Sequence, residues 1–161
     1  MTALEYPREH ESRPGSPKVI TRVASSEAEM ESVYSIRREV FVREQELTRT
    51  VYDEPDDRQS VHLLAQVAGR IVGTGRLTMI RDEAQIAWVA IRAPERGTGA
   101  GKALMQHLLA ISGERGAQFV TLNAQTHALG FYEKLGFEPI GRRFFMGNIE
   151  HQYMVRILQD R

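Results

Sequence analysis

The sequence predicts a mixed α/β fold, a central sheet flanked by helices in the order β-α-(α)-β-β-β-α-β-α-β-β. Three observations predict it. Short apolar runs of strand length recur along the chain, amphipathic segments at helical spacing interrupt them, and one such segment lies between the fourth and fifth runs. A helix joining two strands of one sheet is a crossover, so those two strands are expected to be parallel and the hairpin strands antiparallel.

Residues 1–17 mix charges with Pro7, Pro14, Gly15 and Pro17 and show no apolar period, so they read as a disordered leader. The remainder, 18–161, reads as a single domain. With 42% hydrophobic residues the chain can fill one core. Lys18 to Val23 is a short β-type run. Ser25-Ser26-Glu27 then supplies an N-cap and an early acidic residue, after which Met30, Val33, Tyr34, Arg37, Val40 and Phe41 recur at helical spacing, predicting one helix continued by a second short one. Residues 47–60 are polar and carry Asp53, Glu54, Asp56 and Asp57, so they read as a loop.

His62 to Val67 and Ile71 to Ile80 form a predicted hairpin around Ala68-Gly69-Arg70. Gln85 to Ile91 is the next strand, ended by Pro94. Ala100, Leu104, Leu108 and Ile111 make the apolar stripe of the crossover helix, which Gly113 to Gly116 terminates. Phe119 to Leu122 is a buried strand, and His127 to Leu135 a short helix closed by Gly136. Phe137 to Phe145 and His151 to Leu158 are the last two strands, joined around Gly147-Asn148.

Composition excludes several functions. Lysine plus arginine equals aspartate plus glutamate at 21 each, so no global basic field is available to hold nucleic acid or an anionic membrane. No apolar stretch approaches the roughly 20 residues of a membrane span, and the start lacks the apolar core of a signal peptide. A cytoplasmic protein is expected. Without cysteine there is no disulfide, no thiolate zinc site and no acyl-cysteine intermediate. His62, His127 and His151 include no short-spaced ligand pair, and no metal is expected.

Arg96-Gly97-Thr98-Gly99-Ala100-Gly101-Lys102 is the stretch richest in chemistry. It joins a strand to a helix; its glycines allow positive φ and close backbone approach, and the first amides of the helix point outward unpaired. Such a loop is an anion site, and Arg96 and Lys102 add charge. It is not a Walker loop, because Arg96 stands where glycine is required and Ala103 replaces the magnesium-binding hydroxyl. It is not a dinucleotide fingerprint either, since Lys102 and Leu104 occupy the two positions where the final glycine would fall.

What remains, Arg96-x-x-Gly99-x-Gly101, resembles the coenzyme A pyrophosphate signature of the GNAT superfamily of N-acetyltransferases. Asn123 and Phe131-Tyr132-Glu133-Lys134-Leu135-Gly136-Phe137 resemble a later motif of the same family, and the likeness covers about residues 36–156. The resemblance implies acetyl-CoA as co-substrate, held by the backbone of Gly97, Thr98, Gly99, Ala100, Gly101 and Lys102 with Arg96. It implies that the two parallel strands splay apart beside the pantetheine arm. Val89, Ala90 and Ile91 then offer backbone amides to the thioester oxygen, Asn123 meets the pantetheine amide, and Phe131 and Tyr132 lie against the coenzyme.

Transfer to an amine needs a base, a donor for the carbonyl oxygen and a proton for the thiolate. Tyr132 stands where the family often places its acid, although a phenol near pKa 10 facing a thiolate near 8.5 gives up its proton at a cost of roughly 2 kcal/mol. The fourth strand, Gln85-Ile86-Ala87-Trp88, has no carboxylate where many relatives carry one. His127 and His151, with Phe131-Tyr132, are similar to the small bacterial ElaA-like branch, as is His62, and a histidine can take a proton from an ammonium near neutral pH. The loop ending at Asp57 offers charge to a cationic amine, or is acidic only to stay hydrated. Trp88 fits either an acyl contact or the core.

The expected function is acetyl transfer from acetyl-CoA to a primary amine of a small molecule, by direct attack in a ternary complex; a homodimer is compatible with it. Two alternatives stand. Arg37-Arg38-Glu39-Val40-Phe41 and the run from Asp53 to Asp57 faintly resemble acyl-homoserine-lactone synthases, and the missing strand carboxylate fits a non-catalytic acyl-CoA-binding module.

Overall fold

The structure, a computed structural model, describes residues 18–49, 51–52 and 54–158; the expected leader, Asp53 and the last three residues lie outside these. All described strands join one eight-stranded sheet, in the order β1-β2-β3-β4-β5-β8-β6 with β7 also on β8. Strand β1 (Val19–Val23) pairs antiparallel with β2 (Val61–Val67), β2 with β3 (Arg70–Ile80), and β3 with β4 (Glu83–Ile91).

Helix α1 (Glu27–Arg37) opens on a capping box. The Ser26 hydroxyl accepts from the Glu29 amide at 3.1 Å, and the Glu29 carboxylate accepts from the Ser26 amide at 3.2 Å. The chain then continues as a π-helix over Arg38–Glu44, with the Gln45 amide donating to the Val40 carbonyl at 3.1 Å. The expected second helix is therefore a wider winding of the first. Wider turns bring residues four and five apart onto one face, and Val40, Phe41, Glu44 and Gln45 all line the cleft described below.

Helix α2 (Ala100–Glu114) crosses from β4 to β5 (Phe119–Gln125), which are parallel as expected. Leu104, Met105, Leu108 and Leu109 bury fully against Leu63, Leu77 and Val120, each such side chain contributing on the order of 2 kcal/mol. Close approach of α2 requires small residues on β3: a Cβ at Gly73 would lie 3.2 Å from Leu104 Cδ1, and one at Gly75 would lie 3.0 Å from Leu108 Cδ1. The β4–β5 pairing runs only from Glu83↔Phe119 to Gln85↔Thr121. Beyond it the two strands separate, and the β5-facing amides of β4 find no strand partner.

Helix α3 (Leu129–Lys134) is preceded by a 3-10 turn over Thr126–Ala128, a shorter α-helix than the apolar spacing predicts. The expected strand 137–145 is also broken. It becomes β6 (Glu138–Pro139) and β7 (Phe144–Met146), both antiparallel to β8 (Ile149–Ile157). Pro139 has no N–H to donate, and Gly141 turns out with φ +77°. The Gln152 side-chain amide bonds the Ile140 and Gly141 carbonyls at 2.9 and 3.2 Å in place of strand partners. No helix among the described residues is long and apolar enough to cross a membrane.

Candidate active site

The separation of β4 and β5 opens a cleft of about 1320 Å³ that runs from the glycine loop, past Asn123, to Trp88 and His151. Its floor is irregular by construction. Between Thr74↔Ala90 and Arg76↔Ala87 the β3–β4 register shifts, and Trp88 at the shift takes φ +53°. A left-handed conformation in a bulky residue costs on the order of 1–3 kcal/mol, and such strain gathers at functional sites. Here the bulge re-aims β4 at the point where it loses its partner.

At one end, Gly97 and Gly99 have φ +83° and +89°, and a Cβ on either would meet nothing within 4 Å. The glycines are required by backbone conformation, and the space above them is open. Gly99 is the N-cap of α2, so the first amides of a 15-residue helix face that space with the positive end of its dipole. Gly97, Gly99, Gly101 and exposed Lys102 line the cleft; Thr98 and Ala100 do not. The Thr98 hydroxyl donates to the Glu95 carbonyl at 2.6 Å, closing the loop, while the Ala100 side chain anchors in the core. Arg96 lines the cleft but is paired with Glu44 at 2.7 Å, and its Nε donates to the Ile91 carbonyl at 3.1 Å. The glycine loop is thereby tied to the end of β4.

In the middle of the cleft, Val89, Ala90 and Ile91 face Asn123, Phe131 and Tyr132. Tyr132 is held edge-on between Phe131 and Phe137 at ring distances of 5.0 and 6.0 Å. Burial alone pushes its phenol up to about 12. It therefore stays protonated at neutral pH.

The three candidate histidines fall in different places. His151 is 6% exposed, lines the cleft, and donates from Nδ1 to the Ile149 carbonyl at 2.8 Å. That bond fixes the tautomer and leaves Nε2 with its lone pair. His127 also lines the cleft, exposed, bonded through Nε2 to Gln125 Oε1 at 2.7 Å. Gln125 in turn exchanges two amide hydrogen bonds with Gln45, at 2.8 and 3.1 Å, across the mouth of the splay. His62 is buried off the cleft.

His62 belongs to a buried polar cluster behind Trp88. Arg37, fully buried, donates from Nη1 to the Asp57 carboxylate at 3.0 and 3.2 Å and to the Val51 carbonyl at 3.1 Å, and from Nη2 to His62 Nδ1 at 3.3 Å. His62 Nε2 donates to the Asp57 carbonyl at 2.8 Å. Arg76 donates to Asp57 at 3.1 Å and to Glu54 at 2.6 Å, and the Trp88 indole donates to Glu54 at 2.7 Å. Burial pulls the Arg37 guanidinium below its ordinary value against the pull of Asp57. For Asp57 burial acts upward, but its bonds to Arg37 and Arg76 outweigh it and hold the carboxyl low. His62 is lowered by burial first and by the two arginine charges after it, so it is neutral.

Asp57, expected to offer charge to a cationic amine, and His62, expected among the candidate histidines, do not line the cleft; both belong to the cluster behind Trp88. Within the acidic run, Glu54 and Asp57 are spent on ion pairs with Arg37, Arg49 and Arg76. The residues that do line that end, Arg49, Glu54 and Arg76, were missed as a site. A signal existed, since Arg76 is the one charge between Ile71 and Ile80 and Arg37 sits in the apolar stripe of α1.

The family model for an acetyltransferase (GNAT) domain matches residues 21–158. The protein YyaT of Bacillus subtilis is 33% identical over 135 residues, covering 82% of this chain and 91% of that one. The N-acetyltransferase YjcF of the same organism is 27% identical over 135 residues, covering 83% and 96%. Among solved structures, ElaA of Escherichia coli superposes with a TM-score of 0.77 at 24% identity, over 86% of this chain and 99% of that one, which is a likeness of fold.

Proposed function

The chain belongs to the GNAT family of acetyltransferases and is an acyltransferase, and on that basis we propose that it moves acetyl from acetyl-CoA to a primary amine of a small molecule by direct attack in a ternary complex. One observation carries the reading. A single cleft joins the amide-rich start of α2, the unpaired edge of β4, the Tyr132 phenol and the His151 imidazole. A loop that offers backbone donors, open space and a helix N-terminus fits a diphosphate, and the bulged strand beyond it fits a thioester arm. The cytoplasmic location expected from the sequence is part of the same proposal.

Acetyl-CoA supplies the acetyl group as an activated thioester. The protein's residues do the rest. Lys102 and the amides from Gly97 to Lys102 hold the diphosphate, with Arg96 exchanging its exposed Glu44 partner for phosphate. Asn123 bonds the pantetheine amide. The free amides between Val89 and Ile91 donate to the carbonyl oxygen as charge builds on it; a donor of this kind is worth about 10²–10³ in rate. His151 Nε2 takes the amine proton, directly or through water, and Tyr132 donates a hydrogen bond to the departing sulfur.

Free thiol released from acetyl-CoA over a panel of amines tests this. Release on at least one amine is expected, and His151→Gln is expected to lower kcat/KM by about 100-fold without changing the KM for acetyl-CoA. Thioester binding with no release on any amine would leave a binding module, and consumption of S-adenosylmethionine would leave a synthase.

A further inference from the structure

We propose that Arg76 and Arg49 form an anion subsite at the Trp88 end of the cleft, so that the acceptor is an amine that also carries a carboxylate or a phosphate. This deepens the acetyl-transfer reading and rests on it for the identity of the amine.

Three observations converge. First, Arg76 is a buried, underused donor. It is 8% exposed, lines the cleft and bonds Glu54 and Asp57 through Nη1 alone, while its Nε is buried without a partner. A guanidinium has five N–H donors in a fixed fork and pairs best with a planar or tetrahedral oxyanion. Second, Arg49 stands across from it with its guanidinium 5.3 Å from the Trp88 ring centre and a side chain 58% exposed. It spends one nitrogen on Glu54.

Third, among the described residues the charges do not balance. Arg37, Arg49 and Arg76 face two carboxylates, Glu54 and Asp57, and His62 is neutral because its Nδ1 accepts from Arg37 while its Nε2 donates to a carbonyl. Three cations against two anions leave one positive charge, and since Arg37 and Arg76 are buried while the Arg49 side chain is 58% exposed and both Arg49 and Arg76 line the cleft, an anion entering the cleft meets that charge. Asp56, the other carboxylate lining this end, is exposed and bonded to Gln59. Glu54 is a poor ammonium holder, since Arg49, Arg76 and the Trp88 indole already donate to its two oxygens.

Trp88 directly precedes the Val89–Ile91 amides on β4. An anion over Trp88 and an amine at those amides are thus a few bonds apart, the span of one small molecule.

Trp88 is the single tryptophan of the chain, so its fluorescence reports on this subsite. The CoA-saturated protein would be titrated with two matched pairs, 4-aminobutyrate against 4-aminobutanamide and O-phosphoethanolamine against ethanolamine, with calorimetry in parallel. At least one acidic probe is expected to bind tenfold or more tighter than its neutral partner, and Arg49→Gln is expected to abolish that preference, with CoA affinity as the folding control. Equal affinity within both pairs, no binding by any probe, or a preference that survives in Arg49→Gln would overturn the subsite. Thiol release is read separately: tight acid binding without release overturns the transfer chemistry and leaves the subsite standing.

Discussion

Arg37→Ala is expected to lower the free energy of unfolding by about 3–5 kcal/mol, because it strands a buried carboxylate. Asp57 is 4% exposed and takes bonds from Arg37 at 3.0 and 3.2 Å. Removing the guanidinium also frees the Val51 carbonyl and His62 Nδ1, and it removes the cation 5.4 Å from the Trp88 ring. Such a pair adds little over an apolar pair of equal volume, so Arg37→Met combined with Asp57→Leu is expected to recover much of the loss. Urea denaturation at neutral pH checks both, and a loss below about 1 kcal/mol for Arg37→Ala would mean that water already reaches Asp57.

The same cluster sets an acid limit. The folded Asp57 carboxyl is held low, so its contribution is present above the ordinary carboxylate pKa near 4 and is lost as pH falls through the folded value. His62 is also lowered, so below about pH 6.5 the unfolded chain takes up its proton first. Both shifts therefore destabilise the fold on acidification, His62 first.

Tyr132→Phe is expected to lower kcat by about 100-fold while leaving the acetyl-CoA dissociation constant unchanged. The ring stays between Phe131 and Phe137, so packing is kept and only the hydroxyl is lost. With the phenol at about 12 and a free thiol near 8.5, complete proton transfer runs uphill by about 5 kcal/mol. Tyr132 therefore stabilises the sulfur by donating a hydrogen bond, and water supplies the proton that finally stays. Its titration should not enter the pH profile in the neutral range. Unchanged turnover would remove Tyr132 from the chemistry, and a matching loss of coenzyme affinity would reduce it to packing.

The sequence made legible whatever is local. Gly97 and Gly99 announce positive φ, Ser26 and Glu29 a helix start, and the apolar stripe of α2 a crossover. The splay after Gln85 and Thr121 came through family likeness, since nothing in those residues forbids further pairing. What was illegible depends on partners distant in the chain. The strand expected at 137–145 fails because Pro139 and Gly141 interrupt it and Gln152 takes over its carbonyls. Asp57 looked like a solvent-facing acid because its partners lie 20 residues before and 19 after it. His151 and His127 looked alike, and their burial and their different partners, the Ile149 carbonyl and the Gln125 side chain, distinguish them.

Calorimetry of acetyl-CoA binding to the wild-type chain and to Gly99→Val tests the central claim most directly. Gly99 sits at φ +89° at the start of α2, where a β-branched residue is strained and its side chain would stand over the helix amides. One acetyl-CoA per chain is expected for the wild type, with affinity at least tenfold weaker in Gly99→Val at unchanged circular dichroism. No uptake by the wild type, or equal affinity in the variant, would contradict a diphosphate held by the start of α2.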